Sequence, residues 1–291
     1  MAEGKKEPLL DVRGLSITFE SYNAALEKVT SRVIADLSVQ IYTGEILAVV
    51  GSSGSGKSLL AHAAMGILPN NAQIGGHITY KGNPLTREYQ EQLRGKEIAF
   101  IPQSVAYLDP LMRVGEQVRG REGETLRAAQ AKAFAKYHLA AQVSSLYPFQ
   151  LSGGMARRVL ISTAVVANAN LIIADEPTPG LDLKIAVQAL QDFRDFADQG
   201  KGVLLITHDI DLALHVADRI SIFHSGTVLE TARREDFSGD GAGLKHPYSR
   251  ALFKALPQNG FQLPYCPECG TSCAIWEIAG NEMRCSCGVH Y

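Results

Sequence analysis

The chain has 291 residues, of which 46% are hydrophobic and 20% charged, with a formal net charge of −2. It is long and apolar enough to bury a substantial core, and its near-neutral balance excludes the overall basic field that favours nucleic acid. No apolar run approaches the roughly 18–20 residues of a membrane-spanning helix. The start has Lys5 and Lys6 without the apolar stretch of a secretory signal. The chain is therefore expected in the cytoplasm, reaching a membrane only through a partner.

In chain order, residues 9–50 read as strands. Leu15–Phe19 alternates apolar and polar, Ala35–Ile41 does so more loosely, and Tyr42–Glu45 is a turn. Ile46–Val50 is a continuous apolar run, the pattern of a strand buried on both faces of a parallel sheet. Gly51–Gly56 is a loop. Lys57–Leu68 is a predicted helix with Leu60, Ala63, Ala64 and Ile67 on one face. Residues 122–143 carry Leu126, Ala129, Ala133, Tyr137 and Ala140 at spacings of three and four, an amphipathic helix. Leu171–Ala174 and Val203–Thr207 are short buried strands, and the stretch around 105–165 has none, so it reads as a helical subdomain. Gly239–Gly243 reads as a flexible break and His246–Leu256 as a helix. Helices alternating with short apolar strands predict an α/β fold with a mostly parallel sheet.

Gly51-Ser52-Ser53-Gly54-Ser55-Gly56-Lys57-Ser58 is a complete phosphate-binding loop pattern, placed between a buried strand and a helix. Glycines let successive backbone N–H groups turn toward phosphate, and the helix N-terminus adds partial positive charge. Lys57 can reach the β- and γ-phosphates, and the Ser58 hydroxyl can ligate Mg²⁺. Asp175 ends a buried strand and suits the metal-side carboxylate. Glu176, one residue on, can polarise the attacking water. Leu151-Ser152-Gly153-Gly154-Met155 places a Ser N-cap and two glycines at a helix start, a second anion cradle.

With these motifs the chain resembles the ATP-binding cassette (ABC) ATPases, over about residues 8–257. The resemblance implies a P-loop NTPase that binds ATP and Mg²⁺, its mostly parallel sheet joined by an antiparallel β part and a helical subdomain. It implies that Ser152, Gly153 and Gly154 face the nucleotide held by a second ATPase subunit. It assigns Gln103 to the loop that senses Mg²⁺ and couples to a permease, Asp182 to the dimer interface, and His208 to the γ-phosphate. An aromatic near the first strand stacks on adenine in this family, with Phe19 and Tyr22 both candidates. Leu108-Asp109-Pro110, Tyr147–Met155 and His246–Leu252 are similar to the oligopeptide, dipeptide and nickel permease ATPases, whereas Gly180-Leu181-Asp182 stands where that subfamily has Ala-Leu-Asp. The implied partners are a second ABC ATPase (the same or a related chain), two transmembrane permease subunits and an extracytoplasmic binding protein. The implied place is the cytoplasmic face of the membrane, and the implied cargo peptides or nickel-type metal complexes. The alternative is an accessory ATPase of a soluble complex, of the carbon–phosphorus lyase or DNA repair and translation kinds.

The chain has no cysteine before Cys266, and five from there to Cys287. Cys266, Cys269, Cys273, Cys285 and Cys287 in a module over 262–291 predict a bound metal rather than disulfides. Cys266-Pro267-Glu268-Cys269-Gly270 has the form of a zinc knuckle. The extra Cys273 and the shortened Cys285-Ser286-Cys287 spacing leave Zn²⁺ and a [4Fe–4S] cluster both open.

Overall fold

The computed structural model describes residues 7–22, 24–120, 123–256 and 259, and the backbone of two short strands at 276–279 and 282–285. The chain begins with two long strands, β1 (Leu10–Tyr22) and β2 (Lys28–Ile41), followed by β3 (Ile46–Val50) and helix α1 (Lys57–Met65). Next come β4 (Ala72–Tyr80), β5 (Asn83–Pro84), α2 (Arg87–Leu93) and β6 (Ile98–Ile101). Three helices then run without an intervening strand: α3 (Val114–Arg119), α4 (Glu124–Lys136) and α5 (Gly153–Ala167). This is the helical subdomain expected from the strandless sequence. The α/β alternation resumes with β7 (Leu171–Asp175), α6 (Leu183–Asp198), β8 (Gly202–Thr207), α7 (Ile210–Val216) and β9 (Arg219–His224). It ends with β10 (Thr227–Arg233), α8 (Pro247–Lys254) and the strands β11 (Trp276–Ala279) and β12 (Glu282–Cys285).

Ten strands form one sheet in the order β5-β4-β1-β2-β10-β9-β3-β8-β7-β6. β9, β3, β8, β7 and β6 are mutually parallel, whereas β1, β2, β4 and β5 pair antiparallel. The apolar runs explain the parallel part. Ile46, Ala48 and Val50 of β3 join the core packed under α5 and α6, and Leu47 and Val49 join the opposite core with Leu60, Ala63 and Ala64 of α1. Both faces are covered, so β3 has no polar alternation to show.

Three segments depart from the sequence expectation. Helix α1 stops at Met65, because Gly66 takes a left-handed φ of 63° and returns its N–H to Ala63 O and His62 O. Ile67, which continues the apolar spacing, lies beyond the helix. α4 ends at Lys136 rather than near 143: Tyr137 is fully buried with its hydroxyl on Asp192, and His138 turns the chain at a φ of 52°. Ala140 then caps a 3-10 turn at Ala141–Ser145. The glycine-rich stretch 239–243 is a packed turn rather than a break. The Gly241 N–H donates to Ser238 O, a Cβ on Gly241 would lie 2.9 Å from the Phe253 ring, and Leu244 enters the core.

β11 and β12 pair antiparallel, Trp276 opposite Cys285. Cys266, Cys269, Cys273 and Cys287 lie outside the described residues, as does the Cys285 side chain. Among the described residues, no helix is long and apolar enough to cross a membrane.

Candidate functional site

Four neighbouring strands end on one edge of the parallel sheet. β3, β8 and β7 align Val50 with Thr207 and Asp175 with Ile206, and β6 aligns Ile101 with Ala174. Gly51, His208 and Glu176 follow three of these ends directly, and Gln103 lies two residues beyond the fourth. The crevice outside the carboxyl ends of parallel strands is where open α/β sheets bind ligands. The topology thus gathers the phosphate loop, the paired carboxylates, the histidine and the glutamine predicted from sequence.

The loop after β3 has to be bare. A Cβ on Gly51 would sit 2.2 Å from the Phe223 carbonyl oxygen, and Gly56 takes a φ of 100° to open α1. Ser52, Ser53 and Gly54 are exposed at the mouth of the loop. The Lys57 ammonium is buried and donates to Gly51 O at 2.8 Å and Ser52 O at 2.7 Å, with Ser55 Oγ at 3.4 Å. Burial pushes its pKa down, while Glu176 and Asp175 hold it up. A desolvated cation at the base of an open glycine loop fits a polyanionic phosphate chain.

The Ser58 hydroxyl donates to Asp175 Oδ1 at 3.1 Å, which puts two of the three predicted Mg²⁺ ligands side by side, Gln103 being the third. Burial raises the Asp175 carboxyl from its ordinary 3.8 to about 6; the Ser58 hydrogen bond, Lys57 and Arg157 oppose the rise and Glu176 adds to it. A hard divalent cation would satisfy this oxygen pair and neutralise both carboxylate and phosphates. Because the folded-state pKa is raised, the stability linked to Asp175 is present below its unfolded value and lost as the pH rises through about 6. Ionised Asp175 then costs on the order of 3 kcal/mol without metal. Asp175→Asn is therefore expected to raise the melting temperature of the metal-free protein at pH 8 by ~5 °C, with a much smaller gain at acid pH. The same variant should lose the extra stabilisation that Mg²⁺ adds to nucleotide. Melting curves in chelator at both pH values check this, and an unchanged or lower midpoint at pH 8 contradicts it.

Glu176 is buried, and its φ of 45° is left-handed. For a residue with a Cβ this conformation costs about 1–2 kcal/mol. Its N–H stays in the sheet, donating to Ile206 O at 2.9 Å. Its Oε1 meets His208 Nδ1 at 2.8 Å, and its buried Oε2 has no hydrogen-bond partner among the described residues. A strained carboxylate with one oxygen held by histidine and the other a buried, unused acceptor keeps hydrogen-bonding capacity unspent beside the crevice. His208 is half-exposed, so it bridges this buried group to the open crevice.

The remaining predicted residues are more peripheral. The Gln103 side chain is exposed. Ser152 caps α5 by accepting from the Met155 N–H at 3.3 Å, and among the described residues nothing lies within 4 Å of a Cβ built on Gly153. Gly154 lies against Gly180, at 3.6 Å from its carbonyl to a built Cβ. Asp182 caps α6 through the Ile185 N–H at 3.0 Å. Phe19 packs on the sheet core, and Tyr22 is 71% exposed at the end of β1. Sequence reasoning missed Arg157, which is buried beneath the crevice. The sequence offers only a partial signal, the apolar Ala156, Val159, Leu160 and Ile161 beside it, which the structure shows to be buried.

The description of an ABC transporter family matches residues 34–179, half of the chain. The chain is 32% identical over 265 residues to the oligopeptide transport ATP-binding protein OppD of Bacillus subtilis, covering 86% of this chain and 72% of that one. It is 32% identical over 280 residues to the dipeptide transport ATP-binding protein DppD of the same organism, covering 88% and 80%. Among solved structures, the dimeric post-hydrolysis state of the ATP-binding cassette MJ0796 with ADP and Pi superposes with a TM-score of 0.66 at 26% identity, covering 77% of this chain and 98% of that one. The family match over half of the chain and these relatives, covered to two thirds or more, show that the chain belongs to the ABC transporter family as an ATP-hydrolysing subunit.

Proposed function

We propose that the chain is one of two ATPase subunits that drive a membrane permease importing peptides. The observation that carries this reading is the similarity to relatives named for oligopeptide and dipeptide transport over 86–88% of the chain. It favours peptides over nickel-type complexes, and a transporter over the soluble complexes considered from sequence. Residues 8–257 are the ATPase unit and 262–291 an appended module.

In this reading Gly51–Ser58 holds the triphosphate, with Lys57 on its charge. Ser58, Asp175 and Gln103 hold Mg²⁺, which supplies charge neutralisation when bound. Glu176 orients the attacking water and accepts its proton, with His208 holding the carboxylate and reaching toward the γ-phosphate. Exposed Ser152 and Gly153 support a second subunit whose nucleotide they cover, with Asp182 at the seam. Leu111 is 88% exposed and Phe149 75%, apolar side chains on the helical subdomain beyond Gln103. They support a permease docked there, which would keep the subunit at the cytoplasmic face of the membrane. Two permease subunits and an external binding protein complete the assembly.

The test is reconstitution of the chain with its permease and companion ATPase in liposomes. Labelled peptide should accumulate only with ATP and the binding protein present, and wild-type but not Glu176→Gln subunit should support it. Peptide uptake that does not depend on this chain, or an ATPase that stays monomeric and unattached in every combination, would overturn the proposal.

A further inference from the structure

Arg157 lies on α5, one turn beyond Ser152, and is 5% exposed. Every hydrogen bond of its guanidinium goes to a backbone carbonyl near the crevice. Nη1 donates to Pro102 O at 2.7 Å and Gln103 O at 2.6 Å, Nη2 donates to Glu176 O, and Nε donates to Pro179 O at 3.4 Å. One planar fork therefore joins three separate segments: the loop after β6, the residue after β7, and the loop before α6. Its five donors in fixed geometry can do this, and a lysine or glutamine cannot fill the same set.

The consequence is sharpest at Glu176. Its N–H is fixed to β8 through Ile206 O, and its carbonyl is turned to Arg157. These two anchors hold the left-handed backbone of Glu176 and so aim its carboxylate at His208. The same guanidinium holds the carbonyl of Gln103. A single side chain thus ties the loop that carries Gln103 to the backbone of Glu176.

We propose that Arg157 is a positioning residue for ATP hydrolysis, fixing the Glu176 carboxylate and making its placement depend on the Gln103 loop. This rests on Glu176 being the water-orienting carboxylate, so the test is a double-mutant cycle between the two residues. Hydrolysis is measured for the full chain in the steady state, and by single turnover of radiolabelled ATP for slow variants. Arg157→Met is expected to lower kcat by ~10-fold or more while KM for ATP changes by less than ~3-fold, and Arg157→Lys to recover part of the loss. In a Glu176→Gln background, Arg157→Met should cost nothing further, because the carboxylate it positions is already gone. If Arg157→Met does not fold, Arg157→Gln, which keeps a donor for one carbonyl, carries the cycle. A folded variant with wild-type kcat overturns the proposal. So does an equal fractional loss in both backgrounds, which would assign Arg157 a role independent of Glu176. A wild-type rate in Glu176→Gln alone would instead overturn the reading of Glu176, a distinguishable failure.

Discussion

Glu176→Gln is expected to bind Mg-ATP within a few-fold of wild type and to hydrolyse it slower by about 10² or more. The amide is isosteric, so the left-handed backbone, the Ile206 hydrogen bond and the Arg157 contact survive. What disappears is the basicity of the buried Oε2, the one acceptor there without a partner among the described residues. His208 Nδ1 can still meet the side-chain amide, so loss of rate cannot be attributed to a lost tether. Titration with a fluorescent nucleotide and phosphate-release kinetics on one preparation separate the two effects. A variant that turns over at the wild-type rate would remove Glu176 from the chemistry.

Lys57→Ala should fail at the earlier step. The ammonium is buried at 5% exposure and sits on the carbonyls of Gly51 and Ser52, and its pKa is pushed down chiefly by burial. A phosphate chain offers it full negative charge in place of carbonyl dipoles. Hydrogen bonds to charged groups contribute about 1.5–3 kcal/mol each, so losing one or two of them should weaken nucleotide affinity by ~10²-fold or more. Equilibrium binding at fixed ionic strength, with and without Mg²⁺, checks this. An affinity unchanged by the substitution would show that the loop backbone alone holds the nucleotide. Paired with Glu176→Gln, the result separates a binding residue from a hydrolytic one on the same crevice.

Much of the site was legible because its chemistry is written in contiguous residues. Gly51–Ser58 and Asp175-Glu176 carry their roles in local order, and the five apolar residues of β3 announce a strand covered on both faces. Residues whose roles depend on tertiary contact were harder to see. Arg157 looks like half of a surface Arg-Arg pair until α5 is found to bury that side of the helix, with its neighbour Arg158 reaching the carbonyls of Tyr137 and His138 instead. The end of α1 was hidden by Ile67, whose spacing continues the helix that Gly66 stops. The end of α4 depended on Asp192, more than fifty residues away, receiving the Tyr137 hydroxyl. Gly239–Gly243 has the composition of a linker, but Phe253 and Asp236 close over Gly241 and Gly243. Composition reports backbone freedom, whereas the neighbours that remove it come from elsewhere in the chain.

The central position of β3 also bears on how the polypeptide is made. β3 is an early, wholly apolar strand, and both of its neighbours in the sheet, β8 and β9, lie about 150 residues or more further along the chain. At a ribosomal rate of about 5–20 residues per second, it waits on the order of ten seconds for the first of them. During that interval Ile46–Val50 has neither edge partnered, while the antiparallel pair of β1 and β2 can already close. Nascent chains of this protein therefore pass through a stage in which a sticky segment is available to chaperones or to other unfinished copies.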